Sequence, residues 1–148
     1  MGRPTKEDWL MGAAARTQDS TQSLGRAAAR RRQGRRSDAW GRAAERAAAE
    51  WYERKGARVL AERARTAAGE IDLVLRWGDV IVFTEVKARR SLHEALAVGA
   101  AADWERRAAC AEAYAAEAGL DGDLRLDFCA MDRAGNVEVV ENASVALL

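Results

Sequence analysis

Two neighbouring runs rich in apolar and β-branched residues, Glu70 to Trp77 and Val80 to Ala88, alternate apolar with polar positions at Glu70 to Leu73 and at Glu85 to Ala88 and are split by Gly78-Asp79. Period-two alternation predicts half-buried strands, and a Gly-Asp pair suits a two-residue hairpin turn. That turn sets Asp72 opposite Glu85 and Glu70 opposite Lys87. By alternation, Glu70, Asp72, Val74, Phe83, Glu85 and Lys87 share one face, and Ile71, Leu73, Leu75, Val80, Val82 and Val86 the other. Upstream, Trp40, Ala44, Ala47, Ala48 and Trp51 recur at helical spacing in a segment that stops at Gly56, so order is expected to begin near Trp40 with one helix. Ala57 to Arg63 reads as a short strand and Thr66 to Gly69 as a loop. Downstream, Ser91-Leu92-His93-Glu94 has the capping-box pattern, and Gly99 then restricts the segment to a loop or short helix. A longer helix follows from Asp103 to Ala118, closed by Gly119. Leu124 to Met131, a turn at Asp132 to Gly135, and Asn136 to Glu141 read as strand, turn and strand. The order α-β-β-β-α-β-β predicts an α/β domain whose central mixed sheet is flanked by helices.

The chain has 148 residues and a mass of 16.1 kDa, 49% of it hydrophobic, which suits one domain with a tail and excludes a multidomain machine. No apolar run approaches the roughly 20 residues that span a bilayer, and the start lacks a secretory hydrophobic stretch. The expectation is a soluble cytoplasmic protein with no membrane partner. Cys110 and Cys129 form no CxxC pair and read as buried small hydrophobes rather than as a disulfide or zinc site. One histidine, His93, excludes a histidine-based metal cage and reads as an exposed helix-start residue. Tryptophans can stack on bases, but Trp51 and Trp104 occupy helix core positions and Trp77 flanks a turn, which favours packing.

The net charge of +1 hides an asymmetry. Residues 1–40 hold nine Lys and Arg against four Asp and Glu, a balance of +5, while residues 41–148 hold fifteen against nineteen, a balance of −4. The densest part, Arg30-Arg31-Arg32-Gln33-Gly34-Arg35-Arg36, belongs to a segment without an apolar stripe. We read residues 1–37 as a flexible or partly helical basic arm and 38–148 as the domain. The arm suits phosphate neutralisation, but it equally fits a solvated tail, a transit-like segment or sequence upstream of a start at Met11.

The chemistry is concentrated at the open end of the hairpin. Asp72 facing Glu85 places two carboxylates roughly 5 Å apart, which costs stability unless something binds there. A hard divalent cation such as Mg²⁺ takes oxygen ligands and keeps waters for a phosphate substrate. Lys87, on the face of Glu85, is placed to orient a water or to stabilise charge developing on phosphorus. The competing reading is a solvated sheet face with cross-strand Glu–Lys pairs.

Gly41-Arg42-Ala43-Ala44-Glu45, Gly69-Glu70-Ile71-Asp72-Leu73-Val74 and Val82-Phe83-Thr84-Glu85-Val86-Lys87-Ala88-Arg89 resemble, in order and spacing, the motifs of the YraN family of uncharacterised bacterial proteins. Arg125-Leu126-Asp127-Phe128 is similar to that family's final strand. The resemblance covers roughly residues 41–142 and implies a restriction-endonuclease-like fold of the PD-(D/E)xK superfamily. It implies a catalytic set of Glu45, Asp72, Glu85 and Lys87. The implied Mg²⁺ or Mn²⁺ ligands are Asp72, Glu85 and the Val86 backbone carbonyl, with Glu45 assisting. The departure lies at Ala101 to Arg107, where an acid stands near the family's usual Lys or Gln. The function so implied is a metal-dependent endonuclease acting on DNA, branched or otherwise structured forms included. The alternative is an inactive nucleic-acid-binding or protein-interaction module on the same fold. Oligomeric state stays open, a homodimer included.

Overall fold

The computed structural model describes residues 6–147, with side chains from 22 onward. It divides into two compact units, Met1–Ala39 and Trp40–Leu148. The second unit carries five strands, β1 (Arg58–Thr66), β2 (Gly69–Trp77), β3 (Val80–Ala88), β4 (Asp123–Met131) and β5 (Val137–Val140), which lie side by side in chain order. The pairs β1–β2, β2–β3 and β4–β5 are antiparallel, and β3–β4 is parallel. A parallel neighbour needs a crossover, and α2 (Leu92–Ala100) and α3 (Trp104–Ala118) supply it. A long helix, α1 (Lys6–Arg54), precedes the sheet, and a single turn of helix, α4 (Ala143–Ala146), follows it. The unit is thus a mixed α/β fold, as its element order predicts.

The hairpin register is the expected one from Trp77↔Val80 through Leu73↔Thr84. Leu73, Leu75, Val82 and Val86 pack against Ala44, Ala48 and Tyr52 of α1. On the opposite face Val74, Ile81 and Phe83 pack against Cys110, Ala111 and Ala115 of α3. The predicted alternation fails at Ile71, which joins the α3 side rather than that of Leu73 and Leu75. The break lies beside Arg63 of β1, whose φ of 49° is left-handed and whose neighbours Glu62 and Ala64 pair with Leu73 and Ile71, while the β1–β2 register itself shifts only between Val59 and Ala61. The predicted facings of Asp72 with Glu85 and of Glu70 with Lys87 are corrected, because the β2–β3 ladder stops at Leu73↔Thr84; Glu70 instead makes an exposed ion pair with Arg65 at 3.8 Å.

Ser91 caps α2, its hydroxyl accepting from the Glu94 amide at 3.1 Å, and Asp103 caps α3 by accepting from the Arg106 amide at 3.0 Å. Gly119, at φ of 63°, closes α3 in the left-handed conformation expected of it. Gly99 sits inside α2 because a Cβ there would come within 2.8 Å of the Phe128 ring. Both cysteines are buried and free, and Trp104 is buried against Phe128.

The helix expected from near Trp40 begins further upstream, at Lys6, which gives the arm the helical form among the two that its sequence allows. The Ala, Arg and Gln content that denies this segment an apolar stripe also gives it high helix propensity, and no proline follows Pro4. Residues 22–39 are exposed apart from the half-buried Ala28. The first five residues of the predicted arm lie outside the described residues, as do its side chains through 21. Among the described residues no helix is long and apolar enough to cross a membrane.

Candidate active site

Asp72 sits where β2 and β3 part. Beyond Leu73↔Thr84 the two strands no longer pair, and the Asp72 carboxylate accepts the Val86 amide at 2.9 Å, taking over an N–H freed by the separation. Val86 itself pairs in register with Cys129 of β4. Burial first and then the nearby Glu85 charge raise the Asp72 carboxyl, against the opposing Val86 amide, to about 6. The sequence-derived pair of carboxylates is therefore brought together.

Glu85 is only 6% exposed and would be costly there as an isolated charge. Two cations compensate it. Lys87 reaches Oε1 at 3.1 Å from the same strand, and Arg107 donates from α3 to Oε2. Arg107 Nε is buried without a hydrogen-bond partner. A cleft of about 300 Å³ opens over these groups, lined by Glu70, Asp72, Glu85, Asp103, Arg106 and Arg107. Gly69 belongs to the same wall, and a Cβ there would lie 3.2 Å from Cys110 Sγ and 3.5 Å from the Arg106 guanidinium.

Glu45 occupies different surroundings. Its carboxylate accepts from Arg63 at 2.8 and 3.2 Å, and the pair lines a neighbouring cleft with Arg42, Arg46 and Glu62. After Glu45, the fields of Glu70 and Asp72 also favour the charged Arg63 guanidinium. Glu45 is paired with Arg63 and does not line the cleft that holds Asp72 and Glu85.

Arg63 and Arg107 are the residues that sequence reasoning missed. For Arg107 a signal was present: it lies three residues after Trp104 and four before Ala111, on the buried stripe of α3, where a charge needs a partner. Arg63 left no comparable signal, because its role depends on a backbone kink within β1.

Behind the cleft a buried polar network fastens α1 to the sheet. Asp127 is fully buried and accepts from Arg125 at 2.8 Å on each oxygen, from the Tyr52 hydroxyl at 2.7 Å and from the Asn142 amide at 3.0 Å. Thr84 donates to the Tyr52 oxygen at 2.9 Å. Burial, and then the Asp127 charge, raises the Tyr52 hydroxyl far above its ordinary range and keeps it a donor. Arg125 also lies over the Trp77 ring, 5.2 Å from its centroid, which gives that tryptophan a packing role.

Among the described residues no three His, Cys, Asp or Glu side chains gather closely enough to hold a metal ion alone. The donor set offered is two carboxylates facing an open cleft. That set fits a Mg²⁺-like ion, which commonly takes one or two protein carboxylates and completes its shell with water and phosphate oxygens.

The family model described as Uncharacterised protein family UPF0102 matches residues 44–131. A UPF0102 protein of Ruegeria pomeroyi is 40% identical over 113 residues, which cover 74% of this chain and 91% of that protein. One from Azorhizobium caulinodans is 42% identical over 115 residues, covering 76% and 88%. One from Maricaulis maris is 58% identical over 62 residues, covering 42% and 49%. The family match includes Glu45, Asp72, Glu85, Lys87, Arg107 and Asp127. The chain belongs to the uncharacterised family UPF0102, the YraN-like family whose motifs it carries.

Proposed function

We propose that this protein is a metal-dependent endonuclease that hydrolyses DNA phosphodiester bonds, branched or otherwise structured DNA included, in the cytoplasm. The observation that carries the reading is the convergence of Asp72 and Glu85 where β2 and β3 part, with Lys87 on the Glu85 carboxylate. Such a pair is unfavourable for the fold by itself, which is the pattern of a site kept for chemistry.

In this reading Asp72, Glu85 and the Val86 carbonyl hold Mg²⁺ or Mn²⁺. When bound, the ion polarises the phosphoryl oxygens and lowers the pKa of a coordinated water. Asp72 is fixed for this by its bond to the Val86 amide. Lys87 orients the attacking water and stabilises the charge that grows on the phosphoryl oxygens as water's oxygen bonds to phosphorus and one ester P–O bond breaks. The products are a phosphate monoester and an alcohol. Glu45 assists indirectly, by holding Arg63 beside Asp72.

The test is incubation of duplex, single-stranded and four-way-branched DNA with the full-length protein in Mg²⁺ or Mn²⁺, beside Asp72→Ala. Cleavage by wild type that Asp72→Ala abolishes supports the reading. Wild-type protein that cuts none of the three with either metal, together with tighter DNA binding by Asp72→Ala, would leave a binding module on the same fold.

A further inference from the structure

We propose that Arg106 and Arg107, in the first turn of α3, form a phosphodiester-binding subsite whose Arg107 is held on Glu85 until a divalent ion and a phosphate displace it together. The inference rests on the nuclease reading and adds a ligand-binding pair and a linkage to it.

The charges come first. Asp72 and Glu85 carry two negative charges, and Lys87 and Arg107 return two positive ones, so this inner set is already neutral, with Glu70, Asp103 and Arg106 adding a net −1 on the cleft wall. A divalent ion added to that neutral set creates an excess of two positive charges in a partly buried place. That excess is relieved if Arg107 leaves Glu85 and if an anion arrives.

Arg107, rather than Lys87, is the cation built to move. Lys87 belongs to the same strand as Glu85, two residues on. Arg107 comes from a separate element, lines the open cleft, and keeps about a third of its side chain exposed. Its hold on Glu85 is also incomplete, because Nε is buried without a partner, and an unsatisfied buried donor carries a cost. A phosphate offers what Glu85 does not: two acceptor oxygens that Nε and a terminal nitrogen can engage as a fork.

Arg106 makes the second contact. It is exposed, lines the same cleft beside Gly69, and has no ion pair among the described residues. The ligand class is therefore a phosphodiester monoanion that enters between Arg106 and the metal-binding carboxylates. Linkage is reciprocal: if phosphate favours the state with Glu85 released, it must tighten metal binding by the same factor by which metal tightens phosphate binding.

The experiment titrates Mn²⁺ into full-length protein, with bound and free ion read by electron paramagnetic resonance. It is run with and without saturating thymidylyl-thymidine, which carries one phosphodiester. Wild type should bind Mn²⁺ about tenfold more tightly with the dinucleotide present. Arg107→Ala should bind Mn²⁺ about tenfold more tightly than wild type without it, and gain less than twofold on its addition. Arg107→Gln, which keeps the length of the side chain without its charge, should behave the same way if Arg107→Ala folds poorly. Arg106→Ala, at a residue that makes no bond to Glu85, should tighten Mn²⁺ binding without the dinucleotide by much less than Arg107→Ala does, and should lose most of the enhancement with it. Equal Mn²⁺ affinity in wild type and both Arg107 variants, or equal enhancement in all proteins, overturns this proposal and leaves the nuclease reading standing. Absence of Mn²⁺ binding to every protein overturns both.

Discussion

The carboxylate of Asp72 accepts the backbone amide of Val86 at 2.9 Å, although the two strands that carry them have already stopped pairing. One bond thus closes the end of the hairpin and fixes an acidic side chain beside Glu85.

That position has a cost that pH reveals. The Asp72 carboxyl is raised from 3.8 to about 6 in the folded protein, so the native state binds this proton more tightly than the unfolded chain does. In metal-free protein the resulting destabilisation is complete above pH 6 and is relieved as pH falls toward 4. Asp72→Asn keeps an acceptor for Val86 and removes the charge. It should stabilise the metal-free protein by about 1–3 kcal/mol at pH 7.5, and the gain should vanish near pH 4. Thermal melts of both proteins across that range, in chelator, check it. A difference that does not vary with pH would trace the effect to packing.

The network around Asp127 should respond in the opposite direction. Tyr52→Phe leaves the buried Thr84 hydroxyl without its acceptor and Asp127 with one donor fewer, at an expected cost of about 1–3 kcal/mol. Asp127→Asn should cost more, about 3–5 kcal/mol, because Arg125 loses its paired carboxylate. Urea unfolding of the two variants gives the order, and equal losses would show that Arg125 finds another partner.

Much of this was legible in sequence. The Gly78-Asp79 turn was enough to give the register from Trp77↔Val80 to Leu73↔Thr84, because a hairpin register is fixed by its turn, and so to bring Asp72 and Glu85 to the end of that ladder, though not to pair them within it. The extension failed beyond Leu73, where the ladder ends and Ile71 changes face beside a left-handed Arg63 that has no sequence signature. The surroundings of Glu45 were hidden for the same reason, its partner being that arginine. The long α1 was missed because a helix without an apolar stripe gives no periodic signal, whatever its propensity.

Lys87→Ala should leave Asp72 and Glu85 in place and remove the cation at 3.1 Å from Glu85 Oε1. Under the nuclease reading, DNA cleavage should fall by about 10²–10³-fold while Mn²⁺ still binds at least as tightly as to wild type. Cleavage assays paired with Mn²⁺ titration separate the two effects. A loss of metal binding equal to the loss of rate would make Lys87 a support for the ligands and not a participant in the reaction.

The exposed arginines of the first unit decide whether charge outside the acidic domain contributes to DNA binding. Arg30, Arg31, Arg32, Arg35 and Arg36 point to all sides of α1, so no apolar face competes with them for a partner. Each arginine that neutralises a duplex phosphate contributes about 0.9 to the slope of log affinity against log salt. Replacing all five by Gln keeps helix propensity similar and removes the charge. The variant should bind duplex DNA more weakly at low salt, with the salt slope reduced by about 2 to 4 and the melting temperature unchanged. The measurement is a set of fluorescence-anisotropy titrations between about 50 and 200 mM salt. A slope equal to that of wild type would mean that these arginines remain in water when DNA binds, and that any affinity for DNA comes from the Trp40–Leu148 unit alone.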